Sequence, residues 1–281
     1  MAKVFMFPGQ GSQKVGMGGA DLFDKYAELT RTADDILQYS LKELCLEGPA
    51  DKLNNTFYTQ PALFTVNAML YKEAVAGGEK PAYCIGHSLG EYSAFWAAGA
   101  FDFKTGLTVV KKRGELMSQA AAGAMAAVIG LDSAAVKEIL QSNNLSDSIQ
   151  LANINSDIQN VISGDKQAVK DAESLFLQHN AKKYVILPVS GAFHSRYMQE
   201  IQQQFAAFLA DFAFSDPDLP VIANVTARPC DKGKVKDMLV EQLTSPVRWV
   251  ETINYLKGKG ITDFTEIGPG AVLKGLLRRI K

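Results

Sequence analysis

The order of short apolar runs and helical patterns constrains this chain more than any other feature. Val4–Phe7 is a brief, continuous apolar run that ends in the turn-rich Pro8-Gly9-Gln10-Gly11-Ser12-Gln13. Helical patterns follow at Asp21–Arg31, Ala33–Cys45 and Pro61–Ala76, the last with proline expected at its first position. Ala82–Ile85 is strand-like again, Gly90–Ala100 reads as a compact helix, and Lys104–Ala120 as an amphipathic one. Strand and helix alternate, which predicts a parallel sheet with covering helices.

The pattern then changes. Ala124–Ile129, Ile149–Asn153, Asn160–Ser163 and Lys183–Pro188 read as strands, with helices at Ser133–Asn143 and Lys166–His179. That order is βαββαβ, the split-βαβ or ferredoxin-like unit. A small domain is therefore expected at 124–188, inserted into a larger one formed by 1–123 and 189–281. Beyond it, helices are expected at Ser195–Ala210, Val235–Leu243, Trp249–Lys257 and Ala271–Ile280, and strands at Val221–Asn224 and Asp263–Glu266. The length of 281 residues suits about two domains.

Charge and composition exclude several functions. With 29 basic and 30 acidic residues the net charge is −1, so nucleic acid is not an expected partner. No apolar stretch approaches the ~18 residues of a membrane helix, and the run ending at Pro8 is too short for a signal peptide. Cys45, Cys84 and Cys230 are too few and too scattered for a disulfide framework or a zinc site. A reducing cytoplasm is the expected compartment, and no metal is expected.

Gly86-His87-Ser88-Leu89-Gly90 matches G-x-S-x-G between a strand and a helix. Such an elbow strains the central residue and exposes its hydroxyl at a helix N-terminus, where peptide dipoles favour developing negative charge. A serine needs a base. The chain has three histidines, His87, His179 and His194. His87 adjoins the serine and should diverge from it, and His179 ends a polar helix. His194, in Gly191-Ala192-Phe193-His194-Ser195, is left as the base by elimination. No carboxylate stands out as a third triad member, and Glu91 is expected to serve the helix N-terminus structurally. A backbone carbonyl can orient a histidine instead.

Within Lys104–Ala120 the apolar arc holds Leu107, Val109, Val110, Leu116 and Met117, and Arg113 falls inside it. An inward arginine needs a partner, because an unpaired buried charge costs several kcal/mol or more. Two partners fit: an internal acid, or a ligand carboxylate held by two parallel hydrogen bonds.

Taken together, these motifs closely resemble the malonyl-CoA:acyl carrier protein acyltransferases, and among them the stand-alone, trans-acting enzymes that serve polyketide synthases. Thr59-Gln60-Pro61-Ala62, Lys112-Arg113-Gly114, Asn224-Val225-Thr226, Gln242-Leu243 and Ile267-Gly268-Pro269-Gly270 complete the resemblance, which spans essentially the whole chain. It implies an α/β-hydrolase-like core with a parallel sheet and an inserted ferredoxin-like domain. It implies Ser88 as nucleophile and His194 as base, held by the backbone carbonyl at Gln242. The backbone N–H groups of Gln10 and Leu89 would form the oxyanion hole. Arg113 would bind the malonyl carboxylate and Gln60 would line the acyl pocket. Phe193 would favour malonyl over methylmalonyl, as bulky residues at this position do in the family. The implied donor is malonyl-CoA, and the implied acceptor is the phosphopantetheine arm of an acyl carrier protein domain of a polyketide synthase. No resident cofactor is implied. Fatty-acid synthesis is a close variant. An acyl hydrolase would share serine and histidine but has no use for Arg113, and a non-catalytic docking protein would need none of the three.

Overall fold

The computed structural model describes residues 2–120, 123–189 and 191–281. Met1, Ala121, Ala122 and Ser190, which the expected domain bounds include, lie outside the described residues. Strand β1 (Lys3–Phe7) has Phe5 and Phe7 in one buried cluster and Val4 and Met6 in another. Side chains alternate across a strand, so β1 is covered on both faces, as a parallel sheet requires.

Helices α1 (Ala20–Lys25), α2 (Ala27–Leu37), α3 (Leu41–Glu47), α4 (Ala50–Asn54) and α5 (Thr56–Ala76) follow β1. The expected helices 21–31 and 33–45 are thus divided differently. Tyr26 turns between α1 and α2 with its hydroxyl on Glu73 (2.5 Å), and Gln38 ends α2 in the left-handed region. Helix α4 carries no signal in the sequence pattern. Helix α5 starts at Thr56, not at Pro61. Asn55 caps it, its side chain accepting from the Phe57 N–H at 3.0 Å. Pro61 sits inside the helix, where it cannot donate to the Phe57 carbonyl. Capping and burial around it outweigh the local cue, since every residue from Thr59 to Met69 is buried.

Strand β2 (Tyr83–Gly86) leads through the elbow into α6 (Leu89–Ala97), and α7 (Phe103–Ser118) follows. The next elements are β3 (Ala124–Ile129), α8 (Ser133–Ser142), β4 (Ile149–Ser156), β5 (Gln159–Gly164), α9 (Lys166–Gln178) and β6 (Lys183–Ile186). These strands form a second, antiparallel sheet in the order β4-β5-β3-β6. It has its own core, which includes Ala126, Val128, Val136 and Phe176.

The chain returns through α10 (Gln199–Leu209), β7 (Val221–Ile222), α11 (Val235–Glu241), α12 (Trp249–Lys257), β8 (Asp263–Glu266) and α13 (Val272–Leu277). The expected helix 195–210 is a 3₁₀ turn at Arg196–Met198 followed by α10. Strand β7 stops two residues short of the expected Asn224, because Asn224 is engaged at the elbow. Helix α13 is shorter at both ends than the expected 271–280. The first sheet has the order β7-β2-β1-β8 and is parallel throughout. Strand β2 is thus central, and the elbow at its C-terminal end lies where ligands collect in such sheets. Among the described residues no helix is long and apolar enough to cross a membrane.

Candidate active site

Ser88 caps α6 with φ 51° and ψ −110°, a strained conformation for a residue with a side chain. Three contacts hold it there. The Ser88 N–H donates to the Asn224 side chain at 2.9 Å, the Asn224 amide donates to the Gly86 carbonyl at 2.7 Å, and the His87 N–H donates to the Phe7 carbonyl at 3.0 Å. The turn also demands close backbone approach. A Cβ on Gly90 would lie 1.9 Å from the Phe7 carbonyl oxygen, and one on Gly9 would lie 2.3 Å from that of His87.

His194 meets this serine. Its Nε2 lies 2.8 Å from Ser88 Oγ, while Nδ1 lies 2.8 Å from the Gln242 carbonyl and 3.2 Å from that of Ser245. Two carbonyl acceptors place the ring proton on Nδ1 and leave Nε2 free to accept from the serine. Burial, reinforced by the nearby Arg113 charge, pushes His194 down to about 3, so the imidazole is neutral. His194 also has positive φ (57°), a second strained residue at the same site. His179 is exposed on the surface. His87 points away from Ser88 and pairs with Asn155 on β4 at 2.7 Å.

Arg113 is 1% exposed on α7 and has no acid partner among the described residues. Its Nη1 donates to Gln60 Oε1 at 2.8 Å, and its Nη2 donates to Gln242 Oε1 at 2.8 Å and to Ser88 Oγ at 3.2 Å. Tyr92 lies beneath the guanidinium, 5.1 Å from ring centroid to Cζ. The Arg113 Nε has no partner among the described residues. Of the two partners the sequence leaves open, no internal acid pairs with it among the described residues. A cation this deep, held by neutral amides and a hydroxyl, is suited to a ligand carboxylate.

The structure thus joins Ser88, His194, Arg113, Gln60 and Gln242 in one hydrogen-bonded set. Among the described residues, the Leu89 N–H has no partner, nor does the Gln10 N–H; the Gln10 side chain is engaged with Thr56. Phe193 is buried in the main core directly before His194.

Two contributions escape the sequence. One is the Gln242 side chain, which carries no local signal. The other is Glu91, which lies in the first turn of α6 but is wholly buried. Its Oε1 accepts from the Asn224 N–H at 2.7 Å, and its Oε2 accepts from the Gln242 amide. Burial pushes its carboxyl up to about 8, and the donors on Asn224 and Gln242, with the Arg113 charge, pull the other way. A lone charged residue in the stretch 90–100, otherwise rich in alanine and aromatics, is the hint the sequence offers.

The profile of the acyl transferase domain matches residues 4–279. The chain belongs to the acyl transferase family. Among relatives of this acyl transferase, the polyketide biosynthesis malonyl CoA-acyl carrier protein transacylase BaeC of Bacillus velezensis is 51% identical over 279 residues, covering 99% of this chain and 96% of that protein. The polyketide biosynthesis protein ThaF of Burkholderia thailandensis is 52% identical over 279 residues, but this chain spans only 24% of its length. The crystal structure of a malonyl CoA-acyl carrier protein transacylase from Burkholderia pseudomallei superposes with a TM-score of 0.94 at 46% identity, covering 99% of this chain and 97% of that one. The acyl transferase thus shares the α/β fold and parallel sheet of that enzyme.

Proposed function

We propose that this acyl transferase moves a malonyl group from malonyl-CoA to the phosphopantetheine thiol of an acyl carrier protein, through a malonyl ester on Ser88. The observation that carries this is the buried Arg113 guanidinium, which has no acid among the described residues and reaches the nucleophile at 3.2 Å. In the first half-reaction Ser88 Oγ attacks the thioester carbonyl as His194 takes its proton. The C–S bond breaks, and His194 returns the proton to the departing CoA thiolate. The Gln10 and Leu89 N–H groups stabilise the tetrahedral oxyanion, each worth about 3–4 kcal/mol. Arg113 grips the free carboxylate, Gln60 holds Arg113, and the Gln242 carbonyl orients His194. In the second half the carrier thiol attacks the ester, His194 takes the thiol proton, and it passes that proton to Ser88. Fixing the acyl group at its far end favours the carrier thiol over stray water. Phe193 crowds a methyl branch at the acyl carbon.

We further assign residues 124–188 to a ferredoxin-like domain inserted in an α/β-hydrolase-like core of 1–123 and 189–281. The antiparallel order β4-β5-β3-β6 and the strand–elbow–helix at Ser88 support this. The likeness to BaeC, a polyketide biosynthesis malonyl CoA-acyl carrier protein transacylase matched over 96% of its length, supports service in trans to a polyketide synthase. The proposed chemistry calls on no metal or prosthetic group of its own, nor on nucleic acid or membrane.

Intact-mass spectrometry after mixing with malonyl-CoA tests this. A malonyl adduct on Ser88 is expected, stable until a holo-carrier protein is added and then transferred to it. An unmodified serine would overturn catalysis altogether, and rapid loss of the adduct to water would instead identify a hydrolase.

A further inference from the structure

Among the described residues Glu91 is the one fully buried acid at the site, and the proposed transfer steps do not use it. Both its oxygens accept from N–H groups, one on the Asn224 main chain and one on the Gln242 side chain. That arrangement suits the ionised acid. Gln242 is the junction. Its amide nitrogen faces two acceptors, Glu91 and the Ser88 carbonyl (2.9 Å), while its amide oxygen faces Arg113 Nη2 (2.8 Å). The amide could fit its cavity either way round, and only its neighbours' hydrogen-bond polarity selects one orientation.

We propose that Glu91 is a positioning residue of the acyl pocket: its carboxylate holds the Gln242 amide oxygen toward Arg113, which keeps the guanidinium aimed at Ser88 while leaving it without an acid of its own. The proposal rests on malonyl transfer as the function. Its logic is one of polarity. A neutral amide can orient a cation without neutralising it, whereas a carboxylate at position 242 would pair with Arg113 and exclude a substrate carboxylate. The acid therefore stands one residue behind the amide. A glutamine at position 91 keeps the shape but breaks the pattern. Its oxygen must stay on the Asn224 N–H, so its amide nitrogen meets that of Gln242. Flipping Gln242 relieves that conflict but turns a donor on Arg113 and an oxygen on the Ser88 carbonyl.

The experiment measures the rate of Ser88 acylation by malonyl-CoA and by acetyl-CoA, at a pH above the value of about 8 to which burial lifts Glu91. Thermal unfolding of each protein is followed alongside. For Glu91→Gln the malonyl rate should fall about 10- to 100-fold, the scale of one lost hydrogen bond to a charged group, while the acetyl rate changes less than about threefold. Equal loss with both donors would show that Glu91 only supports the fold, and no loss would show that it does nothing here. Either result overturns the proposal. Should Glu91→Gln fail to fold, the exchange variant E91Q/Q242E restores the pairing of donor and acceptor between the two positions. It is expected to fold with its preference for malonyl lost, because its new carboxylate occupies Arg113. A preserved preference would overturn the proposal. If the parent protein itself takes no malonyl group, malonyl transfer fails, and that result is distinct from any outcome for Glu91.

Discussion

The Arg113 guanidinium donates to the Ser88 hydroxyl: Nη2 lies 3.2 Å from Oγ, and His194 Nε2 lies 2.8 Å from the same oxygen. In the proposed reaction this guanidinium would grip the substrate carboxylate beside the nucleophile. Replacing Arg113 by Ala should therefore lower the specificity constant for malonyl-CoA by about 2–5 kcal/mol in transition-state terms, the usual range for truncating one partner of a buried charged pair. Acetyl-CoA use should rise relative to malonyl-CoA. A competition assay with both donors and mass detection of acyl-Ser88 reads the ratio directly.

The same relationship gives a pH signature. Burial first, and then the Arg113 charge, push His194 from 6.5 down to about 3. Above the unfolded value the residue is neutral in both states. As pH falls below 6.5 the unfolded chain takes a proton that the folded chain refuses, so stability declines toward pH 3. His194→Gln should flatten that part of the stability curve. In the acylation reaction, a malonyl carboxylate on Arg113 removes part of the charge that depresses His194. The acid limb at saturating malonyl-CoA should then lie at higher pH than the limb at limiting malonyl-CoA, with no such displacement for acetyl-CoA. Stopped-flow acylation rates across pH check the difference.

The elbow depends on a missing side chain. A Cβ on Gly90 would lie 1.9 Å from the Phe7 carbonyl oxygen, a backbone atom that cannot swing aside. Gly90→Ala should destabilise the protein by about 1–3 kcal/mol or more, the scale of overpacking, and should abolish acylation of Ser88 in the fraction that folds. Urea unfolding gives the first quantity and mass spectrometry the second.

Phe193 is buried just before the base. Phe193→Ala should raise the methylmalonyl-to-malonyl ratio by about 10- to 200-fold, the range one methyl group commands in an apolar pocket. The ratio from a mixed-donor assay is independent of how much enzyme remains folded, so it separates selectivity from the stability lost with a core phenylalanine.

Much of this architecture lies in local chemistry. Both sheet faces of β1, the glycines around Ser88 and the inward angle of Arg113 follow from side-chain periodicity and from what a tight turn permits, so the sequence alone determines them. The bounds of α5 do not follow in this way. Capping by Asn55 and burial of the following turns override the proline signal at position 61. The assembled site is further still from local rules. Ser88 meets His194 across 106 positions, Asn224 across 136 and Gln242 across 154, and these contacts exist only once the strands have been ordered and packed. Which groups can react is already written in residue identity and local turn chemistry. Only the tertiary structure shows that, among the described residues, Arg113 pairs with no acid, and that the Gln242 amide stands between it and Glu91. Hydrogen-bond polarity between residues far apart in the chain is set by packing, and no periodicity records it.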